Sequence, residues 1–255
     1  DMVHKDGHTV PFEVCYSALR DAQGRPAEII AIARDITARK ISEEMRATGT
    51  RQVICALEQT INSLAMLAEM KDSYTASHQR RVADLACVIA RRMDLDSDTI
   101  QGLRLAGLIH DIGKVRVPAE ILASTRRLTA AEMEIIRVHP SVAFEVLRGI
   151  DFPWPIAETV YQHHERLDGS GYPRRLTGGD IIIEARILAV ADVVEAITAE
   201  RPYRKAIGIE AALEEISNQS GARFDPHVVD ACVRAFRMDR FSLGEEPLPA
   251  ASEDA

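Results

Sequence analysis

The sequence predicts a mostly α-helical domain preceded by a short, incomplete β segment. Three observations carry that prediction. Residues 1–37 contain two strand-like runs, VPFEVCYSAL and EIIAIARDIT, joined by the turn sequence DAQGRP. Beyond residue 72 the apolar residues recur with a period near 3.6. An apolar content of 46% over 255 residues is ordinary for a folded core, so disorder is not the expectation for the chain as a whole.

Taken in order, the two β runs form a hairpin, and two or three strands cannot bury a core alone, so residues 1–37 are expected to belong to a larger unit. Residues 38–71 form a helical linker in which Ile54, Leu57, Ile61 and Leu64 keep coiled-coil spacing. Such a seam joins two copies as a homodimer or packs on the neighbouring domain, and the spacing does not choose between them. Gly49 is expected to interrupt this helix. Val82, Leu85, Ile89 and Met93 mark the next helix, and Ile100, Leu103, Ala106 and Ile109 the one after. Thr129 and Glu132 form a capping box that opens a helix running to Pro140, which stops it. Further helices are expected at 155–164, 183–198, 209–218 and 226–237, the last started by Asp225-Pro226. The acidic, proline-containing tail 241–255 is expected to be disordered.

A net charge of −8 argues against general nucleic-acid binding, which needs a broad basic surface, but leaves room for one small anionic ligand met by a few local cations. The four cysteines show no CxxC spacing, which excludes a zinc knuckle and a disulfide framework and suggests reduced thiols in the cytoplasm. No apolar run approaches a membrane span and no leader opens the chain, although a membrane segment upstream of Asp1 is compatible with the sequence.

Most of the eight histidines fall at predicted helix ends. His78 starts a helix, His110 precedes Asp111, His139 ends a helix, and His163 and His164 are adjacent. Asp192 falls in the middle of the apolar helix EARILAVADVVEAI, where an uncompensated carboxylate costs several kcal/mol. Each residue has a plain alternative: a lone histidine caps a helix C-terminus, and Asp192 pairs with Arg186. The joint pattern fits a metal better. Imidazole and carboxylate without thiolate suit Fe, Mn, Zn or Ni, and an adjacent His-Asp pair can serve two ions with the carboxylate between them. Two such ions acidify water and clamp phosphoryl oxygens, which makes a phosphodiester the natural substrate.

HDIGK at 110–114 and HHERLDGSGYP at 163–173 resemble the two signatures of the HD-GYP family of HD metal-dependent phosphohydrolases. The similarity runs from about Asp72 to Phe236 and includes His139-Pro140, Val190-Ala191-Asp192 and Arg201-Pro-Tyr-Arg204-Lys205, with a domain at 72–240. The resemblance implies an all-helical HD-type bundle that hydrolyses cyclic di-GMP to pGpG and on to GMP. It implies two divalent ions, Fe or Mn first and Zn or Ni next, held by His110, Asp111, His139, His163, His164 and Asp192. Asp111 and Lys114 are then the catalytic pair, Lys114 meeting the scissile phosphate. Gly171, Tyr172, Arg201 and Arg204 are implied substrate contacts, Tyr172 offering a face to guanine. Some members hold a third metal through two glutamates; here those positions are Tyr74 and Glu195, and because a phenol is protonated at neutral pH two metals are expected. His78 and Glu195 would then support the ligands from outside. The family also admits an inactive alternative, a module that binds a cyclic dinucleotide or a diguanylate cyclase (GGDEF) partner through the GYP loop without cutting anything. A second alternative keeps the metal chemistry on a nucleotide mono- or triphosphate. Upstream, KDGHTVPFEVCYSALRDAQGRPAEIIAIARDITARK resembles the final strands of a PAS sensor domain.

Overall fold

The computed structural model describes residues 2–3, 6, 9–20, 24, 26–69, 78–199, 207–238 and 241–243. It divides into two compact units, 1–58 and 59–255.

In the first unit, β1 (Met2–Val3) pairs antiparallel with β2 (Thr9–Val10), and β3 (Phe12–Arg20) with β4 (Pro26–Asp35). The longer hairpin keeps register from Phe12↔Asp35 to Leu19↔Glu28 and then slips at Arg20. Tyr16, Ile29 and Ile32 stay exposed on it, as expected of two strands with no layer of their own to cover them. Helix α1 (Thr37–Glu69) follows at once, because Asp35 accepts hydrogen bonds from the backbone N–H and hydroxyl of Thr37 at 2.8 and 2.6 Å. Gly49 does not interrupt it: one weak helix former in 33 residues costs about 1 kcal/mol, which its neighbours outweigh. Of the predicted seam, Ile54 and Leu57 are half-buried and Ile61 is buried, while the side chain of Leu64 lies outside the described residues.

The second unit is built from α2 (His78–Arg92), α3 (Ser97–Ile109), α4 (Ala119–Leu122), α5 (Ala130–Ile136), α6 (His139–Leu147), α7 (Ile156–Gln162), α8 (Ile183–Thr198), α9 (Ile209–Asn218) and α10 (Pro226–Met238). Helix α8 lies at its centre, packed against α2, α7, α9 and α10. Leu85, Ile89, Leu103, Ile187, Leu188, Leu213 and Ile216 form the dry middle of the core, each 0–1% exposed. No described helix is long and apolar enough to cross a membrane.

Two further expectations change. The helix opened by the Thr129–Glu132 capping box stops at Ile136, and Pro140 sits in the first turn of α6 rather than ending α5. The first turn has no intrahelical partner for its N–H groups, so proline is accommodated there without loss. His139 therefore begins a helix instead of ending one. The predicted tail also starts later, since Phe241 and Leu243 pack against the core and the Phe241 N–H donates to Ala235 at 3.2 Å. The remaining tail residues, 244–255, lie outside the described residues, as do Tyr74, Arg201 and Arg204.

Candidate metal centre

Five helices bring the six predicted ligands and the supporting His78 to one place. His78 is the first residue of α2, His110 caps the end of α3, His139 opens α6, His163 caps the end of α7, and Asp192 stands mid-way along α8. Asp111 follows His110 and leads into a 3₁₀ turn at Ile112–Arg116. That turn lies against α6 so closely that a Cβ on Gly113 would come within 1.9 Å of the His139 carbonyl oxygen. Only glycine permits this approach, and the approach is what carries Asp111 to His139.

Three of the imidazoles are oriented alike. The Nδ1 atoms of His110, His139 and His163 meet the carbonyls of Gly107, Ile136 and Val160, each three residues earlier, at 2.8, 2.8 and 2.6 Å. A carbonyl can only accept, so Nδ1 carries the proton and each Nε2 presents a lone pair to the interior. There the Nε2 atoms of His139 and His163 face each other at 3.5 Å. The Nε2 of His110 is buried with no hydrogen-bond partner and lies 3.4 Å from Asp111 and 3.9 Å from Asp192. Asp111 turns Oδ1 to His139 at 3.4 Å and Oδ2 to His110 and His78 at 3.4 and 3.8 Å. Lone pairs and carboxylate oxygens converging in a buried space repel one another unless a cation joins them, so the donor set fits divalent metal. The possible ligand triads are His139–His163–His164, His78–His110–Asp192 and His110–Asp111–His163, within each of which the donor atoms lie within 4.8 Å of one another.

The electrostatics agree with that chemistry. Burial, reinforced by neighbouring imidazoles, pushes His139 down to about 4 and His163 down to about 3, and holds His164 well below its ordinary value, so these rings are neutral at pH 7, the state in which an imidazole can bind a metal. Burial opposes the charge on Asp111 and Asp192, yet Lys114 and the neighbouring histidines hold Asp111, and His78, His110 and His164 hold Asp192, well below the usual carboxylate range. His78 differs: burial disfavours its charge, but Asp192 and Glu195 push it up to about 9. Its Nδ1 meets the Glu195 carboxylate, and its Nε2 faces Asp192 at 3.4 Å. The carboxylate on the far nitrogen fixes the ring's direction, so the Nε2 of His78 faces the Asp111 and Asp192 carboxylates. Glu195 is 1% exposed and also binds the guanidinium of Arg81. Lys114 donates to Asp111 Oδ2 at 2.6 Å, within the cluster.

The GYP loop returns over His164. The Tyr172 ring lies 4.7 Å from the His164 ring, with the Arg137 guanidinium 5.4 Å from its centroid. Gly171 is buried, and its missing side chain is filled by the backbone of Glu165 and Arg166, which a Cβ would meet at 2.4 and 2.5 Å. Gly171, an implied substrate contact, is thus closely approached by its own chain. Glu165, 2% exposed, accepts from the backbone N–H groups of Arg174 and Leu176 at 2.7 and 2.9 Å and so ties the loop exit to the histidine pair. Sequence reasoning missed Glu165, Arg81 and Arg137. For Glu165 a signal existed: an irregular loop following a helix leaves N–H groups that some acceptor must satisfy.

A model of the HD domain family matches residues 62–228, and a PAS fold model matches residues 1–41. The cyclic di-GMP phosphodiesterase response regulator RpfG of Xanthomonas campestris pv. campestris is 34% identical over 221 residues, covering 84% of this chain and 58% of that protein. The 3'3'-cGAMP-specific phosphodiesterase 1 of Vibrio cholerae is 36% identical over 193 residues, covering 73% and 45%. Among solved structures, a cyclic GMP-AMP-specific phosphodiesterase of V. cholerae, V-cGAP3, shares the fold with a TM-score of 0.55 at 19% identity over 71% of this chain and 49% of that one. The chain spans about half the length of the curated relatives it matches.

Proposed function

We propose that this chain, which belongs to the HD domain family and carries its HD-GYP signature, is a metal-dependent phosphodiesterase that opens cyclic di-GMP to linear pGpG and on to GMP. The observation that carries the reading is the convergence of His110, Asp111, His139, His163, His164 and Asp192, with the His110 Nε2 buried and unsatisfied by protein. Two divalent cations, Fe or Mn before Zn or Ni, would supply Lewis-acid charge and a water acidified toward neutral pH. The six residues would hold them, and Asp111 directs its two oxygens toward different histidines, Oδ1 to His139 and Oδ2 to His110. Glu195 fixes the tautomer and direction of His78. Lys114 neutralises charge that accumulates on the phosphoryl oxygens as the water oxygen bonds to phosphorus and the ribose 3′ oxygen departs with a proton. Tyr172 offers its face to a guanine, and Arg201 and Arg204 offer guanidinium forks to the phosphates.

Two partner readings accompany this one. Helix α1 leaves Ile41, Met45 and Val53 exposed at 51%, 69% and 69%, apolar surface that a homodimer through the linker would cover. The GYP loop, beside a base-binding face, is the proposed contact for a diguanylate cyclase (GGDEF) partner.

Anaerobically purified protein supplied with Mn(II) or Fe(II) is expected to release pGpG from cyclic di-GMP, and the Asp111→Ala variant is expected to release none. Tight binding of cyclic di-GMP without turnover by the metal-loaded wild type would instead support the inactive binding module.

A further inference from the structure

Moving outward from the buried histidines, His164 gives way to the half-buried ring of Tyr172, and Tyr172 to the exposed guanidinium of Arg137. Arg137 caps the end of α5, where its backbone N–H donates to Met133. Its Nη1 donates to Glu134 at 2.7 Å, an ion pair with side chains 48% and 68% exposed. Such an exposed pair adds little stability, so stability alone does not account for a guanidinium held over this particular ring.

We propose that Arg137 is the residue that reads guanine, donating two hydrogen bonds to its O6 and N7 while Tyr172 bears on the face of the base. The proposal rests on the cyclic dinucleotide reading above. Three features lead to it. A nucleotide whose phosphate lies among His163, His164 and Asp192 and whose ribose and base extend past His164 meets Tyr172 and then Arg137. An aromatic face beside a planar fork of N–H donors suits a base, whereas a phosphate needs no such face. Glu134 engages Nη1 and so directs the opposite edge, with Nε and Nη2, to the ligand. Guanine presents two acceptors to that edge; adenine presents N7 beside an amino donor, which leaves one guanidinium N–H opposed.

The test compares three ligands on the metal-loaded full chain: cyclic di-GMP, 3′3′-cGAMP and cyclic di-AMP, with two, one and no guanines. Dissociation constants, KM and kcat are measured for wild type, Arg137→Ala and Arg137→Lys. Wild type is expected to bind cyclic di-GMP best, and Arg137→Ala to reduce its preference over cyclic di-AMP by about tenfold or more through KM, with kcat little changed. Lysine keeps the charge but not the fork, and is expected not to restore the preference. An unchanged preference in Arg137→Ala overturns the proposal, as does full restoration by lysine or an equal loss for all three ligands, since either means that charge alone acts. If wild type binds without cutting, the binding ratios still decide the role of Arg137 and only the hydrolase reading fails. If none of the three binds, both readings fall.

Discussion

At the scale of single residues, the site is a set of imidazoles whose outer nitrogens are occupied and whose inner nitrogens are not. His110, His139 and His163 each spend Nδ1 on a carbonyl three residues earlier, a contact available at a helix end and nowhere else in a helix. This explains why histidines at helix ends were a usable sequence signal, and why the orientation of each ring was not: the carbonyl partner emerges only once the helix stops. Asp192 was legible because a carboxylate inside an apolar helix demands a partner. Glu195 carries the same lesson in reverse, because Arg81, its partner on α2, is 114 positions away in sequence and no periodicity links the two. Replacing Glu195 with Gln removes the charge that orients His78, and metal affinity measured by competition with a chelator is expected to fall about tenfold or more. In metal-free protein, His139 and His163 have folded values of about 4 and about 3 against 6.5 unfolded. The unfolded chain then binds more protons between these limits, so the stability those rings contribute is present above pH 6.5 and is lost as pH falls toward 4. His78, raised to about 9, has the opposite sign and loses its contribution as pH rises from 6.5 toward 9. Melting temperatures of the metal-free protein across this range should fall on the acid side, and a flat acid limb would contradict the assignment of buried neutral rings.

At the scale of elements, the helices at 183–198 and 209–218 coincide with the expected spans because long amphipathic or apolar runs with clear starts leave little choice. The region 112–147 was read less well. Pro140 has the same sequence appearance whether it stops one helix or opens the next, and the short 3₁₀ turn at Ile112–Arg116 has no period to detect. Yet this turn is what sets Asp111 against α6, through the 1.9 Å approach a Gly113 side chain would make to a backbone oxygen. Gly113→Ala must push the turn off α6, and chemical denaturation should register a loss of about 3 kcal/mol. Gly149, where an added Cβ meets nothing within 4 Å, serves as the comparison, its alanine variant changing stability by about 0.5 kcal/mol at most. Gly171 was singled out in the sequence as an implied substrate contact, but its close approach to the Glu165–Arg166 backbone depends on how the loop folds back.

At the scale of the whole molecule, the β-rich start and the helical remainder were both readable from the change of period near residue 37, which falls between the bulk of the PAS fold match at 1–41 and the HD domain match at 62–228. What composition could not supply is the convergence. Five helices starting between His78 and Ile183 deliver donors to one point, and sequence distance says nothing about that until the core of α2, α3 and α8 is packed. Because a ligand that binds only the folded chain stabilises it by mass action, Mn(II) at about 100 times its dissociation constant is expected to add about 2.7 kcal/mol for each site it fills in the metal-free protein, read as a rise in melting temperature. The proposed centre itself is tested most directly by counting. Calorimetric titration of metal-free protein with Mn(II) under anaerobic conditions is expected to show two equivalents bound per chain, with Asp192→Asn binding fewer or far more weakly. Failure of the wild-type chain to bind Mn(II), or an isotherm that Asp192→Asn leaves unchanged, would contradict the centre and the hydrolytic function drawn from it.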